Sequence, residues 1–206
     1  MPRLPILRGL ALLALGWTGT ASSAHAQQMI SFTDSIPLMT TSWTDEVEVP
    51  RFDPDLGILK SVRVTLNGSI IGSSAFESLD NKPTTVNTTF SATMSLFRPG
   101  GTSQITTIAP SQNSTDMVTA FDGVNDFGGT SGQVLPNLNV SESRVYTAPP
   151  PLSDLALFTG PAGNPGTIVL PVVVVGTSTG SGAGNLILSF SQQASADVEV
   201  LYTYNL

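Results

Sequence analysis

The chain of 206 residues contains no cysteine and a single histidine, His25. Without thiols no disulfide can form, so the fold has to be held together by packing alone. His25 lies in a leader that we predict to be removed, which leaves the mature protein with neither His nor Cys. This excludes Ser-His-Asp and Cys-His catalysis, and also zinc or iron sites built on imidazole or thiolate.

The N-terminus has the pattern of a secretory signal peptide. Two arginines precede an apolar stretch at residues 10–17, and a small-x-small cleavage site ends at Ala26. The apolar stretch is shorter than the about 20 residues that span a bilayer. We therefore predict that residues 1–26 are a signal peptide cleaved before Gln27, and that the mature protein is secreted or held at the cell surface.

Charged residues are also scarce, at 11% of the chain, and most of them are acidic. Loss of Arg3 and Arg8 with the signal peptide leaves six basic residues against fifteen acidic ones, a formal net charge of −9. An acidic chain of this kind repels nucleic acid and anionic membranes, so we expect neither as a partner.

Period-two alternation of apolar and polar residues dominates the rest of the chain and predicts β-strands. "VNTTFSATMSLF" (86–97) and "ADVEVLYTY" (196–204) are the clearest cases, while Asn67-Gly68 in "VRVTLNGSI" is typical of a hairpin turn. Further strands are predicted at 36–43, 104–108, 116–121, 144–147, 155–158, 168–175 and 186–190. The run "IVLPVVVV" is continuously apolar, which predicts a strand buried on both faces, with an edge or bulge at Pro171.

Residues of helical propensity at helical spacing are missing, and no turn-rich segment is long enough to divide the chain. We predict that residues 27–206 form a single all-β domain, an antiparallel β-sandwich of two packed sheets of jelly-roll or immunoglobulin-like type.

The segment "FDGVNDFGGTSG" (121–132) is the best candidate for a metal site. Asp122, Asn125 and Asp126 offer oxygen ligands of the kind that calcium prefers, and the glycines would let backbone carbonyls turn inward. The spacing does not match an EF-hand. A Gly/Asp/Asn-rich turn whose side chains bind their own backbone explains the segment equally simply and is the interpretation we favour. No catalytic or cofactor-binding residue is predicted, and calcium is the one cofactor left open.

Three further patterns have a structural and a functional interpretation. Asp45, Glu46 and Glu48 could share acid–base work, but a solvated strand face explains them. Trp43 and the tyrosines 146, 202 and 204 could line a sugar-binding face, but core packing explains them as well. Asp53 and Asp55 flank Pro54 before a strand, and we predict that they form a structural corner rather than a carboxylate pair.

The chain resembles the bacterial choice-of-anchor E domain family. The resemblance rests on four segments: "PLMTTSW" (37–43), "VPRFDPDLGILKSVRVTLNG" (49–68), 121–132 and 196–204. The resemblance implies an exported β-rich domain at the bacterial surface without established enzymatic activity. Members often carry a C-terminal sorting signal, and the chain printed here stops at Leu206 without one, which implies release or retention by a partner.

These observations lead to three functional hypotheses. The first is a non-catalytic structural, adhesion or matrix protein that binds extracellular polysaccharide, matrix or surface protein. The second is a carbohydrate-active or carbohydrate-binding protein that uses surface carboxylates and aromatics. The third is self-assembly by strand addition, with "IVLPVVVV" or the terminal strand as donor.

Overall fold

The computed structural model describes residues 27–101, 103–148 and 152–206, and the predicted signal peptide lies outside them. The described residues form two packed antiparallel sheets, which confirms the predicted all-β sandwich. The strands are β1 (Gln27–Thr40), β2 (Trp43–Pro50), β3 (Ile58–Ser78), β4 (Thr84–Phe97), β5 (Gln104–Ile108), β6 (Ser111–Val118), β7 (Gly132–Ala148), β8 (Thr167–Gly176), β9 (Thr179–Ser181) and β10 (Leu186–Asn205), with one short helix, α1 (Leu152–Leu157).

One sheet has four strands in the order β1-β10-β3-β7. Its two central strands are unusually long, 21 residues in β3 and 20 in β10, and they pair over almost their whole length. Strict alternation explains this length, because every second side chain from Val62 to Ile70 and from Ala194 to Tyr202 is buried. The strands β1 and β7 form the edges of this sheet.

The second sheet has six strands, with β2-β8-β4-β5 in one path and β6 and β9 paired to the first half of β4. The alternation predicted for β4 is confirmed, since Val86, Phe90, Ala92, Met94 and Leu96 are all buried. β8 also alternates between buried and exposed residues, so the predicted burial on both faces is wrong. Its ladder with β4 covers only Val172–Gly176, so Pro171 pairs with β2 alone. Proline has no N–H to donate to a second neighbouring strand, which suits this position.

The core lies between the sheets and is filled mainly by Val, Leu and Ile. An aromatic cluster closes one end, where the Tyr202 ring packs on Phe32, Phe52 and Phe158 at centroid distances of 5.8–6.5 Å. The Tyr202 hydroxyl donates to the Pro50 carbonyl at 2.8 Å, so this buried phenol keeps a hydrogen bond. Tyr202 is thus a core residue, as the core-packing interpretation predicts.

The corner at residues 52–57 has the predicted structural role. Asp53 caps a turn of 3₁₀-helix at Pro54–Leu56, and its Oδ1 accepts from the Asp55 N–H at 3.0 Å. The same oxygen accepts from the Gly163 N–H at 3.1 Å, a second contact from a distant loop. Phe52 is buried at the base of the corner, whereas Leu56 and Ile58 are exposed.

Four further sequence predictions are wrong in detail. The strand predicted at 116–121 is the end of β6, which stops at Val118. Asn67-Gly68 does not form a hairpin turn, since β3 runs straight through it. A side chain at Gly68 would collide with Met94 and lie 2.6 Å from Ile108 Cδ1, so this glycine allows close packing of the sheets rather than a turn. The strand predicted at 155–158 is largely helix α1, and the strand predicted at 36–43 is broken by a turn at residues 41–42.

Candidate functional site

The outward side of the four-stranded sheet carries mostly hydroxyl and amide side chains. It arises from the same alternation that builds the core, because most residues between the buried ones of β3 and β10 are Ser, Thr, Asn or Asp, with Arg63, Glu199 and Leu201 among the exceptions. We call this surface the hydroxyl face. Its members are Thr33, Ser35, Thr65, Asn67, Ser69, Ser141, Ser143, Ser195 and Asp197.

The strand register places these side chains in rows. Asp197 lies opposite Asn67, which lies opposite Ser143, and the next outward row is Ser195, Ser69 and Ser141. The Ser143 hydroxyl donates to Asn67 Oδ1 at 2.6 Å. Rows of this kind present regularly spaced donors and acceptors, about 4.8 Å apart from strand to strand.

A shallow groove of about 250 Å³ crosses these two rows. Hydroxyls and amides line it together with two carboxylates, Asp197 from β10 and Glu142 from β7. Glu142 pairs with Gly68 in the inward row, and its Oε2 accepts from the Ala109 N–H at 2.9 Å, so this carboxylate points toward the second sheet and away from Asp197. The groove can hydrogen-bond a polar ligand. Among the described residues, the Ser143 hydroxyl donates to an amide oxygen and not to a base.

The loop predicted as a turn or a calcium site has its carboxylates engaged by the backbone. Asp122 accepts from the N–H groups of Val124 and Thr130, at 3.0 and 3.3 Å, and Asp126 accepts from Gly128 at 2.9 Å. These bonds, led by the one from Val124, lower the pKa of Asp122. Within the described ranges no group of three or more His, Cys, Asp or Glu side chains is arranged to hold a metal ion. Calcium binding at Asp122, Asn125 and Asp126 remains a prediction.

Glu77, near the end of β3, is a residue that the sequence did not single out. It is fully buried, and its Oε1 accepts from the Ser131 hydroxyl at 2.6 Å, which fastens the 121–132 loop to the sheet. Its Oε2 has no hydrogen-bond partner among the described residues. The alternation of β3 does not predict that Glu77 is buried. Phe76, Glu77 and Ser78 are buried in succession at the point where the loop covers the strand.

The acidic segment before the corner behaves as a strand face. In β2, Glu46 and Glu48 point outward while Val47 and Val49 are buried, as predicted.

The tyrosines do not form a shared sugar-binding surface. Tyr202 is in the core, Tyr204 packs on Phe52 at 5.2 Å, and the Tyr146 hydroxyl donates to Asp154 at 2.7 Å.

Comparison with known proteins assigns no family. No protein-family model matches the chain, and no curated protein matches it. Among solved structures, a chain of Desmodium yellow mottle tymovirus is 9% identical, with 94% of this chain and 97% of that chain covered and a TM-score of 0.23. A chain of the infectious bursal disease virus Gx strain is 11% identical, with coverages of 97% and 43% and the same TM-score. Likenesses this weak carry no argument, and the resemblance to choice-of-anchor E domains remains a prediction.

Proposed function

We propose that this chain is an exported, non-catalytic bacterial protein of the cell surface or extracellular matrix, which binds neutral polysaccharide through the hydroxyl face. The observation that carries the proposal is the pair of outward rows on β10, β3 and β7, where almost every side chain is a hydroxyl, an amide or a carboxylate. Hydroxyls and amides both donate and accept hydrogen bonds, which suits a ligand that is itself rich in hydroxyl groups.

The charge of this face favours a neutral polymer over a charged one. Arg63 and Glu199 lie on the same outward side of the sheet, on neighbouring strands one row apart, and Asp197 adds a single further charge. A polymer that crosses several rows forms many weak contacts at once. Together these give useful affinity without a deep pocket.

Two features support a binding role rather than a catalytic one. Removal of the predicted signal peptide takes away the only histidine, and the chain has no cysteine. The Ser143 hydroxyl, which lies in the groove, donates to the Asn67 amide and so is not activated as a nucleophile.

Export is part of the proposal and has its own test. Expression of the full chain in a bacterial host, followed by N-terminal sequencing of the protein in the medium or on the cell surface, should give a chain that begins at Gln27. An intact N-terminus on protein that stays inside the cell would contradict export.

Binding is tested by affinity electrophoresis and pull-down of the exported protein on a panel of neutral and anionic polysaccharides, matrix proteins and whole cells. We expect retention on at least one neutral polysaccharide, with little dependence on salt. Retention by anionic polymers alone, or by none of the panel, would contradict the proposal.

The second candidate function, hydrolysis of a polysaccharide by a carboxylate pair, has no suitable pair at this groove. Asp197 lies in an outward row, whereas Glu142 pairs with Gly68 in the inward row and accepts from the Ala109 N–H. Release of reducing sugar from a polysaccharide that the protein binds would contradict the non-catalytic function.

A further inference from the structure

The N-terminal half of β1 is an edge that the described part of the protein leaves open. β1 pairs with β10 on one side, and within the described ranges no strand pairs with it on the other. From Asp34 onward the neighbouring strand β2 approaches, since Asp34 Oδ2 accepts from the Glu48 N–H at 2.8 Å. The open stretch is therefore Gln27–Thr33, which we call the β1 edge.

The other edges of the described sheets are protected against pairing. β2 carries Asp45, Glu46 and Glu48 and ends at a proline. β7 is interrupted near Pro136 and Asn137, and Arg144 donates to the Thr107 carbonyl at 2.9 Å, which ties that strand to β5. β5 and β9 have only five and three residues, and β6 is polar from Ser111 to Asp116.

The β1 edge has none of these devices. Its sequence, "QQMISFT", has no charged side chain and no proline, and its pairing with β10 is regular as far as Ile36. Met29 on its outward face is 61% exposed, and on its inward face Ile30 and Phe32 are only partly buried against the core. An uncharged, β-prone edge that leaves apolar side chains half covered is the kind that pairs with another strand.

The donors suggested by the sequence cannot fill this role. "IVLPVVVV" is β8, which lies between β2 and β4, and the terminal strand is β10, which lies between β1 and β3. Donation of either strand would require the sandwich to open. The edge that is free to pair is β1.

We propose that the β1 edge pairs antiparallel with the β1 edge of a second copy of this chain, forming a two-fold dimer with a continuous eight-stranded sheet. A two-fold axis at Ile30 places Ile30 opposite Ile30 of the second copy and Gln28 opposite Phe32, so the two half-buried isoleucines cover one another. On the outward face Met29 lies opposite Ser31, and Gln27 opposite Thr33. No like charges meet in this register.

The dimer places two hydroxyl faces side by side on one surface, because a two-fold axis perpendicular to the sheet keeps both outward faces on the same side. It does not depend on polysaccharide binding, and self-association is measured without any ligand. Failure of one proposal is therefore distinguishable from failure of the other.

The test is the self-association of the full chain purified after export, measured by sedimentation velocity over a range of concentrations. The wild type should show a concentration-dependent dimer. In Met29→Lys/Ser31→Lys, two pairs of lysines face each other across the axis, and self-association should weaken by about tenfold or more. In Met29→Lys/Ser31→Glu, each lysine faces a glutamate of the second copy, and self-association should return.

The matched control is Met117→Lys/Val134→Lys, which adds the same charge at exposed positions on β6 and β7. It should dimerise as the wild type does, and unchanged circular dichroism will show that all the variants are folded. A wild type that stays monomeric at every concentration would overturn the proposal. A dimer that ignores the lysine pair, or that the Lys/Glu variant fails to restore, would also overturn it.

Discussion

Arg98 and Asp154 form a two-point ion pair that ties the end of β4 to helix α1. Arg98 Nε lies 3.0 Å from Asp154 Oδ1, and Nη2 lies 2.6 Å from Oδ2. The Tyr146 hydroxyl donates to the same Oδ2, so three segments of the chain meet at one carboxylate. Asp154 is only 5% exposed, so the carboxylate of this ion pair is shielded from solvent.

Asp154→Asn should lower the free energy of unfolding by about 2–3 kcal/mol, because hydrogen bonds to a shielded charge are worth more than neutral ones. The loss should be visible in urea denaturation at neutral pH. Tyr146→Phe, which removes one bond to the same oxygen, is the matched milder variant and should cost about 1 kcal/mol.

The same carboxylate should give the protein an acid-sensitive stability. The Arg98 guanidinium, with the Tyr146 hydroxyl, holds the pKa of Asp154 below its usual range. Stability from a depressed pKa is fully present above the unfolded value of about 3.9 and is lost as the pH falls through the folded value. Between about pH 5 and pH 2 the wild type should therefore lose more stability than Asp154→Asn. If the free energy of unfolding fell equally with pH in the two proteins, this prediction would be contradicted.

Gly68→Ala should destabilise the protein by about 1–3 kcal/mol through overpacking. The added methyl group meets the Met94 side chain and Ile108 between the sheets. Met94→Ala destabilises the protein by itself, because it leaves a cavity in the core. The double variant should nevertheless lose less stability than the sum of the two single losses, because the shorter side chain makes room for the methyl group. Thermal unfolding of the single and double variants measures this, and strictly additive losses would contradict the close contact.

Asp53→Ala should cost about 1 kcal/mol, the usual value of a lost cap. Asp53→Asn keeps an oxygen that can accept from Asp55 and Gly163, and it should retain most of the stability. Urea denaturation of both variants checks this. An alanine variant as stable as the wild type would show that the corner holds without its cap.

Calcium should leave the thermal midpoint of the exported protein unchanged, because Asp122 and Asp126 already accept backbone N–H groups. Melting curves with calcium, with magnesium and with a chelator test this. A thermal midpoint that rises with calcium but not with magnesium, and that does not rise in the Asp122→Asn variant, would contradict this prediction and establish a calcium site in the loop.

The strands with strict alternation could be predicted from the sequence, because a half-buried strand has to alternate. The inward faces of β4 and of β10 from Ala196 to Tyr202 follow from the sequence for this reason. The continuity of β3 through Asn67-Gly68 could not be predicted. That dipeptide favours a turn locally, and only the contact with Met94 on the facing sheet explains the glycine.

Much of the hydroxyl face also lies beyond sequence reasoning. Asn67 and Ser143 are 76 positions apart, and their contact depends on the register of β3 with β7. β7 itself was predicted only at residues 144–147, because Pro136 and Asn137 interrupt the pattern that would reveal its 17 residues. The burial of Glu77 could not be predicted for a similar reason, since a distant loop, and not its own strand, covers it.

The measurement that tests the central claim most directly compares two matched double variants for binding to the polysaccharide that retains the wild type. Asn67→Ala/Ser143→Ala removes a cross-strand pair from the hydroxyl face. Asn87→Ala/Thr115→Ala removes the same kind of pair, with a hydroxyl-to-amide distance of 2.8 Å, from β4 and β6. We predict at least tenfold weaker retention for the first variant and wild-type retention for the second. Equal retention of the two variants would contradict the assignment of the hydroxyl face as the binding surface.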